Sequence, residues 1–135
     1  MPTTGAPSPA PDTRARILLV DDDPMITELI TDMLSLDGYD VETAPNGVAA
    51  LEKVQGRRYD LIMTDLHMPE LDGADLYREL TRRLAHPPRK IIFLTGTAGS
   101  SEAHRLVQET GLPVLRKPFN VIELLELVRK VLGAA

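Results

Sequence analysis

Ile17-Leu18-Leu19-Val20-Asp21-Asp22-Asp23-Pro24 is the stretch that decides the fold. Four consecutive apolar residues are typical of a strand that is buried on both faces, as in a parallel sheet covered by helices. The strand ends abruptly in aspartates, and Pro24 suits the first position of a helix for which Asp23 is the N-cap. The stretch therefore predicts a strand, a charged turn and a helix, which together form the repeating unit of an α/β protein.

Four more strand–helix units follow along the chain. Their predicted strands are residues 39–44, 60–64, 91–94 and 114–115, and apolar residues at helical spacing follow each one. Five such units joined by right-handed crossovers predict a doubly wound, five-stranded parallel sheet. The apolar helix faces are predicted to be Ile26, Leu29, Ile30, Met33 and Leu34; Val48, Leu51 and Val54; Leu76, Leu80 and Leu84; Ala103, Leu106 and Val107; and Ile122, Leu125, Val128 and Leu132.

The composition limits the possible domain organisation and partners. The length of 135 residues suits one domain, which we place at 14–135, after a Pro-rich tail at 1–13 that we expect to be flexible. A net charge of −5 with scattered Lys and Arg argues against a nucleic-acid partner, and the absence of cysteine excludes disulfides. The apolar runs are too short to span a membrane and the start lacks a secretory signal, so we expect a cytoplasmic protein.

Charged and polar residues follow four of the predicted strands: Asp21, Asp22, Asp65, Thr95 and Lys117. They should converge, because active residues of such sheets gather beyond the carboxyl ends of the strands. Three clustered carboxylates repel one another unless protons or a divalent cation neutralise them, and all-oxygen ligands favour a hard ion such as Mg²⁺, which commonly also binds phosphate. A carboxylate can attack phosphorus to give an acyl phosphate, so the group predicts phosphoryl transfer, with Lys117 neutralising charge and Thr95 donating its hydroxyl.

The sequence also resembles a known family over residues 15–133. It is similar to the receiver domains of two-component response regulators, including the single-domain chemotaxis regulator. The motifs that carry the resemblance are Leu19-Val20-Asp21-Asp22, Asp65-Leu66-His67-Met68-Pro69 with Asp72-Gly73, Leu94-Thr95-Gly96 and Lys117-Pro118-Phe119. The resemblance implies a flavodoxin-like (βα)5 fold with strand order 2-1-3-4-5.

Residue roles follow from the same resemblance. It implies that Asp65 is the phosphoacceptor and a direct ligand of Mg²⁺ or Mn²⁺ together with Asp22, while Asp21 acts mainly through water. His67 would contribute its backbone carbonyl, and the bond before Pro118 would be cis. The imidazole ring of His67 has no second histidine at zinc-binding spacing, so we predict no zinc site.

The resemblance further implies a signalling switch and not an enzyme, although a receiver catalyses its own phosphotransfer and dephosphorylation. The phosphoryl donor would be a histidine kinase or a histidine phosphotransfer protein. A protein target would bind the surface from the fourth to the fifth predicted helix. Many receivers carry Tyr or Phe where this chain has Val114, so we predict a weaker or different switch at that position.

Two other functions are compatible with part of the sequence pattern. An aspartate-nucleophile phosphatase of the haloacid dehalogenase type also begins with a D-x-D motif, here Asp21 and Asp23, but this chain has Met25 where that family has Thr or Val. A scaffold with a vestigial site is the second, against which the intact Asp65, Thr95 and Lys117 argue. Whether the chain acts alone or belongs to a hybrid kinase stays open. The acidic residues Asp32, Asp37, Glu102 and Glu109 are predicted to lie on solvated helix faces.

Overall fold

Five parallel strands form one sheet at the centre of this computed structural model, which describes residues 14–66, 68, 71, 73–83, 90–96, 105 and 108–133. The strands are β1 (Arg16–Val20), β2 (Asp40–Ala44), β3 (Leu61–Asp65), β4 (Ile91–Thr95) and β5 (Val114–Arg116). Their order is β2-β1-β3-β4-β5, and every neighbouring pair is parallel. The predicted parallel sheet and its strand order are confirmed.

Four helices are described in full: α1 (Pro24–Leu36), α2 (Gly47–Gly56), α3 (Gly73–Arg83) and the C-terminal helix (Val121–Gly133). The start of α1 is as predicted, because Pro24 occupies the first turn and the Asp23 carboxylate accepts a hydrogen bond from the Met25 amide at 3.0 Å. The predicted tail at 1–13 and the predicted face of the fourth helix, Ala103, Leu106 and Val107, lie outside the described residues.

The sheet separates two apolar layers. On one face, Ile17 and Leu19 of β1 pack with α1 and the C-terminal helix. On the other face, Leu18 and Val20 pack with α2 and α3. These four side chains of β1 are therefore fully buried, which explains why the strand is apolar at every position. Each such residue contributes roughly 1.5–3 kcal/mol to folding through burial.

Three predicted helix faces were wrong in part. Leu29, Val48 and Ile122 were expected to be buried, but their exposed fractions are 47%, 46% and 63%. In α2 the buried stripe consists of Gly47, Ala50, Leu51 and Val54. In the C-terminal helix it is centred on Leu124 and Val128. In α2 the prediction favoured bulky apolar residues, whereas close packing also selects the small residues Gly47 and Ala50. Leu29 and Ile122 instead lie outside the buried stripes of their helices. No helix in the described part of the chain is long and apolar enough to cross a membrane.

Candidate functional site

The carboxyl edge of the sheet collects the five residues singled out from the sequence. Asp21 follows β1 directly, Asp65 is the last residue of β3, Thr95 is the last residue of β4, and Lys117 follows β5. Because β1, β3, β4 and β5 are parallel neighbours in this order, their ends form one continuous edge. Residues spread over much of the sequence thus lie at one edge of the sheet.

Three carboxylates form a cluster at this edge. One oxygen each from Asp21, Asp22 and Asp65 lies within 4.8 Å of the others. Asp21 and Asp65 are buried, whereas Asp22 is exposed, so the cluster meets solvent at Asp22. Oxygen donors at this spacing, with one exposed side, suit a hard divalent cation such as Mg²⁺ or Mn²⁺ that retains part of its water shell. The described residues therefore fit a divalent metal ion.

Lys117 joins two members of the cluster. Its ammonium donates hydrogen bonds to Oδ2 of Asp21 at 2.8 Å and to Oδ2 of Asp65 at 3.1 Å. Burial opposes the charge of this side chain, but the hydrogen bond to Asp21 and the negative charges of Asp65 and Asp21 outweigh burial and raise the pKa of Lys117 above its usual value. The lysine is consequently a fixed positive charge beside the carboxylate of Asp65 at any physiological pH.

The backbone holds this lysine in place. Its N–H donates to the carbonyl of Thr95 at 2.7 Å, which extends the β4–β5 pairing up to the site. The following peptide bond, between Lys117 and Pro118, is cis. The side chain of Thr95 is buried at the end of β4, one strand away from Asp65. The hydroxyl and the ammonium thus come from adjacent strand ends.

Asp21 is held from two sides. Its Oδ1 accepts the backbone N–H of Asp23 at 2.9 Å, while its Oδ2 accepts from Lys117. The side chain has an exposed fraction of 0%. The Asp23 side chain in turn caps α1. Hydrogen bonds therefore connect Lys117, Asp21 and the start of that helix. Asp21 thus links the ammonium of Lys117 to the start of α1.

Two residues near Asp65 were missed as parts of the site. The hydroxyl of Thr64 donates to the carbonyl of Asp65 at 3.1 Å. Gly73, noted in the sequence only as part of a motif, lies so close that a Cβ there would be 2.4 Å from that same carbonyl oxygen. A polar residue at a buried strand position could have indicated Thr64, whereas the approach of Gly73 is set by the tertiary fold. His67, the predicted carbonyl ligand, lies outside the described residues.

Val114 is half-buried on β5 and pairs in register with Phe93 of β4. Its side chain packs against the same apolar layer as α2 and α3. In that layer Tyr77 of α3 meets Phe93 edge to face, with ring centroids 6.0 Å apart and an interplanar angle of 75°. Aromatic rings thus lie on the neighbouring elements, while the strand position itself carries a small aliphatic side chain.

Known proteins share both the sequence pattern and the fold. Residues 17–129 match the family described as response regulator receiver domain. The chain is 39% identical over 119 residues to the transcriptional regulatory protein CpxR homolog of Haemophilus influenzae, covering 87% of this chain and 50% of that protein. It is 36% identical over 120 residues to the response regulator receiver protein CpdR of Brucella abortus, covering 89% of this chain and 98% of that one.

Solved structures agree with these sequence relatives. The chemotaxis protein CheY4 of Vibrio cholerae superposes with a TM-score of 0.75 at 33% identity, over 87% of this chain and 98% of that one. The chain spans about half the length of the Haemophilus relative and nearly all of the length of CpdR and CheY4. The similarity therefore concerns one structural unit that occurs both within longer proteins and as most of a shorter one.

Proposed function

The chain belongs to the response regulator receiver domains of two-component signalling systems, and on this premise we propose that Asp65 accepts a phosphoryl group and thereby switches a protein-binding surface. The observation that carries the proposal is the Lys117 ammonium, which lies 3.1 Å from a carboxylate oxygen of Asp65 inside a cluster of three carboxylates. A cation fixed beside one carboxylate of an acidic cluster favours the approach of an anionic phosphoryl group to that carboxylate.

The proposed reaction is a direct transfer. A carboxylate oxygen of Asp65 forms a bond to phosphorus while the P–N bond to a histidine of the donor breaks, and the leaving imidazole takes up a proton from solvent. The product on this chain is an acyl phosphate. Catalysis then consists mostly of positioning the reacting groups and of compensating the negative charge on the phosphoryl oxygens. Lys117 supplies one positive charge for this, and the hydroxyl of Thr95 supplies one hydrogen-bond donor.

A divalent cation completes the proposed site. Asp22 and Asp65 would hold Mg²⁺ or Mn²⁺ directly and Asp21 mainly through water, with the backbone carbonyl of His67 as the further ligand that the family resemblance implies. When bound, the ion compensates the negative charge of the carboxylates and of the incoming phosphoryl oxygens. Asp22, the exposed member of the cluster, lies on the side from which the ion and the donor would enter.

We place the chain in the cytoplasm as a switch and not as an enzyme with an external substrate. Its donor would be a histidine kinase or a histidine phosphotransfer protein, and its target a protein that binds the surface from the fourth to the fifth predicted helix.

Without an aromatic ring at Val114, the shift of Thr95 on phosphorylation would reach that surface through neighbouring loops and helices. Replacement of Val114 by Tyr should strengthen the response of that surface, measured as larger amide chemical-shift changes on binding of a phosphoryl analogue.

The geometry argues against the phosphatase alternative. That function would need Asp21 or Asp23 as a nucleophile. Both carboxylate oxygens of Asp21 already accept hydrogen bonds, and its side chain is closed to solvent. The carboxylate of Asp23 accepts the helix-capping hydrogen bond from Met25. Asp65 is better placed than Asp21 as an acceptor, because its side chain retains an exposed fraction of 10%. It differs from Asp23 in having the ammonium of Lys117 beside it.

Binding of beryllofluoride, an analogue of the phosphoryl group, tests the proposal. With Mg²⁺ present, beryllofluoride should raise the thermal midpoint of the protein, because it binds only the folded state. Without Mg²⁺, or in Asp65→Asn, the increase should vanish. Asp32→Asn, at an exposed position of α1, is the matched control and should respond like the unaltered protein. An equal increase in Asp65→Asn would place the acceptor elsewhere.

A further inference from the structure

Two glycines lie where no side chain has room, and both contact the connection between β3 and α3. At Gly47, the first residue of α2, a Cβ would be 2.7 Å from the carbonyl oxygen of Leu71 and 2.9 Å from its Cβ. At Gly73, the first residue of α3, a Cβ would be 2.4 Å from the carbonyl oxygen of Asp65. Contacts this short do not occur in folded proteins, so any side chain would force a movement.

The first turn of α2 is a firm support for Leu71. Asn46 caps the helix, since its side-chain oxygen accepts the N–H of Ala49 at 2.8 Å. Gly47 is buried, and Ala50 in the following turn is fully buried in the layer under α2 and α3. A side chain at 47 therefore cannot be accommodated by a shift of the helix alone. Leu71, which is half-buried against the same layer, would have to move.

Leu71 lies two positions before Gly73 in the chain, so a movement of Leu71 would be passed on towards the acceptor. Gly73 donates its N–H to the carbonyl of Leu66 at 3.2 Å, which closes the β3–α3 connection on itself. The same glycine touches the backbone of Asp65. Close contacts therefore lie at both ends of this route, between Gly47 and Leu71 and between Gly73 and Asp65.

We propose that Gly47 is a positioning residue for the acceptor site: its missing side chain lets the backbone of Leu71 approach α2, and this backbone approach sets the backbone position of Asp65. The inference rests on the proposed function of Asp65 as metal ligand and acceptor. It assigns a role in the site to α2, which contributes none of the five residues at the strand ends. Metal and phosphoryl sites tolerate only small displacements of their ligands, so a distant glycine can control them.

Gly47→Ala tests the role, with Gly56→Ala as the matched control. Gly56 is the last residue of the same helix, and a Cβ there would meet nothing within 4 Å. Calorimetric titration with MgCl₂, on protein shown to be folded by circular dichroism, should give a dissociation constant about tenfold higher for Gly47→Ala. The constant for Gly56→Ala should stay within about twofold of that of the unaltered protein.

Leu71→Ala separates positioning from stability. It removes apolar contacts and should lower the thermal midpoint, yet it keeps the backbone approach at Gly47 and should leave Mg²⁺ affinity within about threefold. A merely structural role for Gly47 would instead make the two variants lose stability and affinity in parallel. That parallel loss would overturn the inference, as would Mg²⁺ binding by Gly47→Ala equal to that of Gly56→Ala.

Two further outcomes are decisive. If the unaltered protein and Gly56→Ala both fail to bind Mg²⁺, the proposed function is wrong and this inference falls with it. If Gly47→Ala does not fold, amide chemical shifts of the unaltered protein decide: on titration with MgCl₂ the amides of Gly47 and Leu71 should shift while that of Gly56 does not. Unchanged amides at Gly47 and Leu71 would overturn the positioning role.

Discussion

The ammonium of Lys117 contacts the carboxylate of Asp65 at 3.1 Å, although 52 positions separate the two residues in the chain. The same ammonium contacts Asp21 at 2.8 Å, across 96 positions. One cation thus holds the ends of β1, β3 and β5 together at the edge where the acidic residues meet. The positive charge of Lys117 stabilises the folded cluster, and it also favours the approach of an anionic group to Asp65.

Removal of this charge should impair both roles. Lys117→Met should lower the rate of phosphotransfer to Asp65 by about 100-fold, because one donor to the developing charge is lost. It should also lower the thermal midpoint in metal-free buffer, since the buried carboxylate of Asp21 loses its cationic partner. Lys130→Met, at an exposed position of the C-terminal helix, is the control. Equal phosphotransfer rates in both variants would contradict the role of Lys117.

Of the three consecutive aspartates, Asp23 should contribute to stability and not to phosphotransfer. Asp23→Ala should cost about 1 kcal/mol of folding free energy, because α1 loses its N-cap. Its phosphotransfer rate should change little, since the backbone N–H that supports Asp21 is retained. Urea unfolding measures the first effect and a phosphotransfer assay the second, with Asp32→Ala as the control for loss of a carboxylate from α1. A collapse of phosphotransfer in Asp23→Ala would show that its carboxylate belongs to the site.

Tyr59 predicts a loss of stability at alkaline pH. Burial, together with the hydrogen bond that its hydroxyl donates to Glu42 at 2.9 Å, raises the pKa of Tyr59 from 10.0 to about 12. The folded state therefore holds this proton more tightly than the unfolded state. The resulting stabilisation is fully present below pH 10 and is lost as the pH rises towards 12.

Tyr59→Phe isolates this effect. Absorbance titration should show a tyrosine ionisation near pH 12 in the unaltered protein that is absent from Tyr59→Phe. The thermal midpoint of the unaltered protein should fall faster with pH above 10 than that of Tyr59→Phe. Identical slopes for the two proteins would mean that the hydroxyl of Tyr59 is not protected.

The strands and the site were predictable because each carries a local signal. A strand buried on both faces must be apolar throughout, and its end is marked by a sudden charge, as at Asp21 and Asp65. The rule that parallel strands align their carboxyl ends then brings distant residues together without any knowledge of the packing. Oxygens of Asp21, Asp22 and Asp65 accordingly lie within 4.8 Å of one another, and Lys117 contacts two of these residues.

The packing between helices and strands is not marked by a comparable local pattern in the sequence. Leu29 and Ile122 have the hydrophobicity of core residues but lie beyond the margin of the buried stripe. Asp37, predicted to be solvated, instead forms two hydrogen bonds with Arg129 of the C-terminal helix, at 3.0 and 2.7 Å. The contact of Gly47 with Leu71 depends on how the start of α2 meets the connection between β3 and α3. Such relationships are set by tertiary distances, which neither periodicity nor residue type contains.

Transfer from a phosphorylated histidine donor, followed by peptide mapping of this chain by mass spectrometry, tests the central claim most directly. With Mg²⁺ present, the peptide that contains Asp65 should gain the mass of one phosphoryl group. The gain should be absent from Asp65→Asn and from protein treated with a chelator, and it should persist in Asp32→Asn. A phosphoryl group on any other residue, or equal labelling of Asp65→Asn, would contradict the assignment of Asp65 as the acceptor.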